Sequence, residues 1–164
     1  MAGEMLTIPT AITLADYTRA GLMIPQLRGS DAPGILGELS QALQQQGCLA
    51  DVLPFYHAAL NQELLNDSAL ESGIALPHAR TSGIRDLQFA LGRAPRPILW
   101  GNRRSAAVDL VFLMAVPPTD AARYLNLLAS LARLGQQAEL LAEIRDAHNA
   151  EALLAVLNKV RIRP

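Results

Sequence analysis

The sequence predicts a single α/β domain with a central mixed β-sheet flanked by helices. Two helical hydrophobic patterns come first, strand-like apolar runs follow between residues 73 and 116, and helical patterns then continue to the end of the chain. Strands bracketed by helices in this way are typical of one layered α/β domain. The length of 164 residues fits a single domain, which we assign to residues 1–164.

The composition is that of a globular chain with balanced charge. Hydrophobic residues make up 51% of the chain and charged residues 18%, and the formal net charge is −1 with a pI near 6.3. A chain of this length buries roughly 70% of the surface that its unfolded form exposes, so a core needs no disulfide or metal. The charge balance argues against a nucleic-acid interface and against a polybasic membrane anchor, because both need a basic surface.

Cysteine usage and hydropathy favour a cytoplasmic protein. Cys48 is the single cysteine, so no intrachain disulfide can form. The first twenty residues lack a basic segment followed by a long apolar one, and we therefore expect no secretion signal. The longest strongly apolar run, at residues 110–116, is far shorter than the roughly 20 residues that a membrane span requires.

The N-terminal part of the chain predicts a short start and two helices. Residues 1–13 are expected to be loosely ordered. Ser30 or Asp31 suits a helix N-cap, because Pro33 would then lie in the first turn, where its missing N–H costs nothing. Apolar residues at helical spacing predict a helix after this cap and a second helix over about residues 50–66.

The middle of the chain carries four strand signals. Apolar runs at residues 73–77, 87–93, 98–100 and 108–116 are separated by turn-forming residues. The last run is apolar almost throughout, as in a strand that is covered on both faces. We therefore expect a mixed sheet of at least four strands in this region.

Three helices are predicted at the C-terminal end. Thr119 or Asp120 can cap a helix that stops at Gly135. Two shorter helices should follow, at about residues 137–146 and 150–159. These helices and those of the N-terminal part are expected to cover the sheet.

Few of the polar residues form a pattern that would support chemistry. One cysteine and three histidines give no zinc-ligand spacing, and there is no phosphate-binding glycine loop or serine-nucleophile elbow, so we expect no metal and no cofactor. Most carboxylates are interpreted as solvated helix faces. Structural interpretations are also favoured for His57 and His148 as surface or half-buried helix positions, for Cys48 as a small core residue, and for Trp100 as a packing residue.

His78 is the residue whose local chain favours a function. Leu76 precedes a proline and is therefore extended, and Pro77 removes a backbone donor, so the strand should end there. His78 would then lie at a strand end, where α/β sheets collect ligand sites, with Arg80 two residues further on. A neutral imidazole is a usable nucleophile, and a guanidinium can bind phosphate through two hydrogen bonds. These residues alone support a structural loop histidine equally well.

Residues 72–80, Ser-Gly-Ile-Ala-Leu-Pro-His-Ala-Arg, resemble the active-site signature of enzyme IIA domains of the mannitol/fructose class in the bacterial phosphotransferase system. The segment at residues 58–63, the strand VDLVFLMAVP and the helix YLNLLASLARL are also similar to the family's. The resemblance covers about residues 14–157 and is closest to the stand-alone nitrogen-regulatory IIA type. It implies the mannitol-type enzyme IIA fold.

The resemblance implies a phosphoryl carrier. His78 would accept a phosphoryl group from the histidine-containing phosphocarrier protein and pass it to a cysteine of a IIB domain, or act as a switch on a regulated target protein. The supporting residues would be Gln62, Arg80, Tyr124, Ser72 and Gly73. A sugar-transport IIA subunit with separate IIB and IIC subunits, and a degenerate module that binds partners without carrying phosphate, stay open as alternatives.

Two positions depart from the family's pattern in a way that bears on transfer. Gln62 stands where the family usually carries arginine, and Tyr124 stands where it usually carries a second histidine. Ala79 replaces the usual glycine, which is a milder change. Because neither Gln62 nor Tyr124 brings a positive charge, we expect slow phosphoryl transfer to a partly exposed His78, with both residues close to it.

Overall fold

The computed structural model describes residues 12–101 and 106–163. Two short 3₁₀ helices, at Leu14–Tyr17 and Ala20–Leu22, begin this part of the chain. The helices that follow are α1 (Ala32–Gln45), α2 (Val52–Leu65), α3 (Ala121–Leu134), α4 (Ala138–Asp146) and α5 (Ala150–Leu157). The strands are β1 (Met23–Ile24), β2 (Ile74–Ala75), β3 (His78–Arg80), β4 (Gln88–Trp100) and β5 (Ala106–Val116).

The helices begin where capping chemistry predicts. Asp31 is the N-cap of α1 and accepts a hydrogen bond from the backbone N–H of Gly34, with Pro33 in the first turn. Asp120 precedes α3, and the Asn149 side chain caps α5 by accepting from a backbone N–H. The five predicted helices are therefore confirmed, within the few residues by which helix ends usually vary.

The five strands form one mixed sheet with the order β1-β4-β5-β2, and β3 also pairs with β5. β4 and β5 are antiparallel, whereas β1, β2 and β3 run parallel to their partners. This confirms a mixed sheet of at least four strands between residues 73 and 116. β1 was not predicted, because two residues carry no periodicity.

Strand β4 corrects the expectation of two separate strands at residues 87–93 and 98–100. The chain stays paired with β5 on both sides of a register shift between Arg93 and Ile98. Pro95 and Pro97, which cannot donate to a strand ladder, lie within that irregular stretch. A bulge therefore accommodates the prolines without ending the strand.

The core is centred on β5, where residues 110–116 are all buried. α1 packs against β4 and β5, α2 packs against β3, and α5 contacts β1. The sheet is thus covered by helices from both ends of the chain, as predicted for a strand that is apolar almost throughout.

The first described residues are tied to the C-terminal segment. Thr13 forms an antiparallel bridge with Arg161, and the backbone N–H of Ile162 donates to the carbonyl of Ile12 at 2.9 Å. Of the start that we expect to be loosely ordered, residues 1–11 lie outside the described part of the chain. Among the described helices, none is long and apolar enough to cross a membrane.

Candidate functional site

His78 opens the short strand β3, which pairs with β5 on the edge opposite β4, as β2 does. The sequence predicts that Pro77 ends the strand, and β2 does end at Ala75, but pairing with β5 resumes at His78, which is in register with Met114. The reason is that Pro77, although it lacks a donor, accepts a hydrogen bond from the Met114 N–H at 3.0 Å. The imidazole is half-buried, which confirms the expected partial exposure.

Burial keeps the His78 imidazole neutral. Desolvation lowers the pKa of His78 below 6.5, and the nearby Arg80 charge lowers it further. A hydrogen bond from the ring to the Leu76 backbone acts in the opposite direction without reversing the shift. One ring nitrogen therefore carries the proton, and the other has a lone pair available at neutral pH.

Tyr124 packs against His78. The two ring centroids are 5.3 Å apart, and the ring planes are inclined by 44°. Tyr124 lies in the first turn of α3 and is 8% exposed, and its desolvation raises the pKa of the phenol. The hydroxyl therefore remains a hydrogen-bond donor at neutral pH.

Arg80 completes this group of three side chains. Its guanidinium carbon is 5.9 Å from the centroid of the Tyr124 ring, and the side chain is exposed to solvent. A cation over an aromatic face is attracted by the ring quadrupole, which favours this placement of the arginine. A half-buried imidazole, an aromatic ring and an exposed cation thus lie together at β3.

Gln62 lies on α2, the helix that packs against β3, and its side chain is exposed. Its backbone carbonyl accepts from Asn66 at 2.9 Å, as expected near a helix end. Within residues 12–101 and 106–163, the Gln62 side chain makes no hydrogen bond to His78. Direct support of His78 by Gln62 therefore stays a prediction.

Ser72 and Gly73 lie away from His78. Ile74 is in register with Leu110 and His78 with Met114, so the two ends of this segment are separated by roughly 13 Å along β5. The Ser72 carbonyl instead accepts from Arg145 at 2.6 Å, and Arg145 also forms an ion pair with Asp109 at 2.8 Å.

Gly73 is required by that ion pair. Its φ is +94°, and a Cβ atom there would lie 2.6 Å from a guanidinium nitrogen of Arg145 and 3.0 Å from a carboxylate oxygen of Asp109. The glycine therefore allows the arginine to approach the strand. Neither Ser72 nor Gly73 contributes to the geometry around His78.

Glu63 was identified from the sequence only as the end of the family-like segment at residues 58–63, and no role was assigned to it. Glu63 is 3% exposed, and its carboxylate accepts hydrogen bonds from Trp100 Nε1 at 2.7 Å and from the N–H and hydroxyl of Ser68. Burial raises the pKa of Glu63, while these hydrogen bonds oppose the rise. Trp100 is fully buried, which confirms its interpretation as a packing residue.

This buried network reaches the backbone beside His78. The Ser68 hydroxyl donates to Glu63 and accepts from the Leu76 N–H at 3.0 Å. The Leu76 backbone is in turn the hydrogen-bond partner of the His78 ring. Glu63 and Ser68 therefore hold the backbone of Leu76 in place, and the Leu76 backbone in turn orients the imidazole of His78.

The remaining candidate residues have structural surroundings. His57 is exposed on α2, and His148 is exposed and contacts Arg93 through its ring. Cys48 is half-buried beside Gln88, and burial raises the pKa of its thiol, which disfavours the reactive thiolate. In the described part of the chain, no three His, Cys, Asp or Glu side chains are grouped so that they could hold a metal ion.

The fold is that of mannitol-type enzyme IIA domains. The nitrogen regulatory protein IIA-Ntr of Neisseria meningitidis superposes with a TM-score of 0.73 at 21% identity, over 88% of this chain and 98% of that one. Escherichia coli mannitol enzyme IIA, solved in complex with phosphorylated mannitol enzyme IIB, gives a TM-score of 0.73 at 14% identity, over 87% of this chain and 99% of that one.

The chain belongs to the family described as "Phosphoenolpyruvate-dependent sugar phosphotransferase system, EIIA 2", which matches residues 17–160. A "Nitrogen regulatory protein" of Bradyrhizobium diazoefficiens is 30% identical over 71% of this chain and 80% of the relative. The 2-O-α-mannosyl-D-glycerate-specific EIIABC component of Escherichia coli is 32% identical over 73% of this chain. The match spans 18% of the length of that larger relative.

Proposed function

We propose that this protein is a phosphoryl carrier of the phosphoenolpyruvate-dependent phosphotransferase system, with His78 as the phosphoryl acceptor. The observation that carries the proposal is the neutral, half-buried imidazole of His78, held against Tyr124 with the exposed Arg80 beside it. The donor is a histidine-containing phosphocarrier protein, and transfer takes place in the cytoplasm, where that donor is found.

The proposed transfer needs little covalent chemistry from the protein. The lone pair of the free His78 nitrogen forms a new P–N bond while the P–N bond of the donor phosphohistidine breaks, and that electron pair stays on the donor imidazole. The other ring N–H remains on the Leu76 backbone, which stabilises the positive charge that develops on the ring. Arg80 is placed to stabilise the negative charge on the phosphoryl oxygens.

The role that we favour is regulatory, in the nitrogen-regulatory branch of the family. A nitrogen regulatory protein is among the relatives, and this chain covers 80% of it. In this role, the phosphorylation state of His78 alters the binding of a target protein. The alternative role is in sugar transport. A IIB domain would then accept the phosphoryl group, by analogy with the IIA–IIB complex of the mannitol system.

A second candidate function is an interaction module that binds partners without carrying phosphate. It is favoured by the chemistry of the site, because Gln62 is neutral and Tyr124 keeps its phenolic proton. Arg80 is then the only one of the three supporting side chains on β3, α2 and α3 that carries a positive charge.

Intact-mass spectrometry under alkaline conditions tests the proposal. The protein is incubated with phosphoenolpyruvate, enzyme I and the phosphocarrier protein, and the gain of one phosphoryl group is expected. His78→Ala should abolish the gain, whereas His57→Ala and His148→Ala should not. A folded native protein that gains no phosphoryl group would support the interaction module instead.

A further inference from the structure

A concave site lies on α3, outside the group formed by His78, Tyr124 and Arg80. It is a cavity of about 880 Å³ between α3, the C-terminal segment at residues 159–163 and the first 3₁₀ helix. Small-molecule sites typically have volumes of about 300–1,000 Å³. The cavity is therefore large enough for a ligand of nucleotide size.

One face of α3 supplies the first wall of this cavity. Arg123, Asn126, Ser130 and Arg133 line it at helical spacing. Leu127, Leu131 and Leu134 of α3, together with Tyr124, are buried in the core instead. The cavity wall is thus a row of hydrogen-bond donors on the side of α3 that turns away from His78.

Positive charge is concentrated in the cavity. Five of the fourteen Lys and Arg residues line it, and the lining given by the described residues contains no carboxylate. The overall charge of the protein is −1, so this local excess is not visible in the composition. The five lining cations are Arg123, Arg133, Lys159, Arg161 and Arg163.

Only two of these five cations are neutralised by ion pairs with described residues. Arg123 pairs with Asp120 at 3.3 Å, and Lys159 pairs with Glu143 at 2.6 Å. Within residues 12–101 and 106–163, the Arg133 side chain donates a hydrogen bond only to the Ser130 hydroxyl, at 3.0 Å. Like charges that face one concave surface repel each other, and a bound anion would relieve that repulsion.

The cavity also has an apolar and aromatic side. Val160 and Ile162 line it, and Tyr17 lies beneath Arg123, whose guanidinium is 5.3 Å from the ring centroid. The Arg123 Nε donates to the Tyr17 hydroxyl at 3.3 Å, which holds the guanidinium in place. Ligands that combine phosphate groups with an organic ring would satisfy both sides of such a cavity.

We propose that this cavity binds an organic polyphosphate of nucleotide size, with Arg133 and Arg161 as principal phosphate ligands. Guanidinium groups match phosphate oxygens through paired hydrogen bonds, which distinguishes such a site from a solvated basic surface. Arg133 projects from α3 and Arg161 from the C-terminal segment, so the two approach the ligand from different walls. The site is independent of phosphoryl transfer at His78.

Calorimetric titration of the full chain with ATP, without metal, tests this proposal. ATP should bind, its affinity should fall with added salt, and adenosine should bind at least tenfold more weakly, because the phosphates carry the interaction. The Arg133→Gln/Arg161→Gln variant should lose at least tenfold in affinity for ATP. Arg85→Gln/Arg96→Gln removes the same two positive charges from exposed positions outside the cavity and should leave the affinity unchanged.

Two results would overturn the proposal. One is equal affinity of the native protein for ATP and adenosine, or no binding of either. The other is a loss of ATP affinity in Arg80→Gln with no loss in Arg133→Gln/Arg161→Gln, which would place the nucleotide at His78. Circular dichroism of each variant shows that it is folded before the comparison is made.

Discussion

The ring of Tyr124 lies against that of His78, with centroids 5.3 Å apart and planes inclined by 44°. A tyrosine at this position shields one side of the imidazole from water and brings no positive charge, since a phenol has no cationic form at neutral pH. Desolvation raises the pKa of the phenol, so the side chain stays neutral rather than becoming a phenolate. The same packing contributes to the burial that lowers the pKa of His78. The pair thus favours a neutral imidazole and places no positive charge against it.

The pKa of His78 should lie below 6.5, and Arg80→Gln should raise it, because one of the two causes of the shift is removed. Titration of the ring-proton NMR signals, assigned with His78→Ala, measures both values. Arg85→Gln, which removes a charge from an exposed loop, is the matched control. An unchanged pKa in Arg80→Gln would mean that burial alone sets the shift.

The lowered pKa of His78 also predicts the direction in which the free energy of unfolding changes with pH. The imidazole binds a proton less readily in the folded chain than in the unfolded chain. Its contribution to the free energy of unfolding is therefore present above pH 6.5 and is lost as the pH falls through the lowered pKa. Urea unfolding should be measured for the native protein and for His78→Ala over this pH range. The free energy of unfolding should fall less in His78→Ala than in the native protein as the pH is lowered.

The helices and most of the sheet could be predicted from the sequence, because caps and apolar periodicity are local signals. The Asp31 cap of α1 is an example. Strand β1 could not be predicted, because its two residues become a strand only through pairing of Met23 with Leu91 and Ile24 with Gly92. The continuity of β4 through its prolines depends in the same way on its pairing with β5.

The site was partly predictable for a related reason. A local motif identified His78 and Arg80, whereas the resemblance also implied Ser72 and Gly73, which the strand register holds away from His78. An extended chain advances about 3.3 Å per residue, so neighbours in a strand segment soon separate. The burial of Glu63 depends on Trp100, 37 positions later in the chain, and no local pattern reports such a contact.

Trp100→Phe should destabilise the protein by about 1.5–3 kcal/mol, because it removes a hydrogen bond to a buried carboxylate and keeps an aromatic ring. Urea unfolding followed by circular dichroism measures the change. Tyr56→Phe is the matched control, since it removes one aromatic donor to the Pro33 carbonyl at a partly exposed position, and it should cost about 1 kcal/mol or less. Equal losses in the two variants would argue against a special role for the Glu63 network.

Gly73→Ala should lower the free energy of unfolding by about 1–3 kcal/mol, because φ is +94° and the new Cβ would press on Arg145. Gly37→Ala is the control within α1, where the nearest atom, on the Tyr56 ring, would be 3.5 Å away. That substitution should be neutral or stabilise the protein by up to about 1 kcal/mol, as expected for alanine in a helix. The rate of phosphoryl transfer to folded Gly73→Ala should match that of the native protein, because Gly73 lies away from His78. A large loss of transfer would mean that Gly73 does support the site around His78.

The Gln62→Arg/Tyr124→His variant should accept phosphate faster than the native protein. A charged donor contributes roughly 1.5–3 kcal/mol to a hydrogen bond and a neutral donor about 1 kcal/mol, and the transferring phosphoryl group spreads negative charge over three oxygens. If each native side chain stabilises the transition state by about 1 kcal/mol less than a charged donor would, the native protein is slower by a factor on the order of tens. The two gains need not add, because both groups act on one site.

Single-turnover transfer from the phosphorylated phosphocarrier protein measures this acceleration. Asn61→Arg is the matched control, because it adds the same charge to an exposed position on α2 next to Gln62 and points about 100° away around the helix. It should leave the rate within a few-fold of the native value. A native rate that is already fast, and that the double substitution does not change, would mean that Arg80 and the backbone around His78 stabilise the phosphoryl group without help from positions 62 and 124.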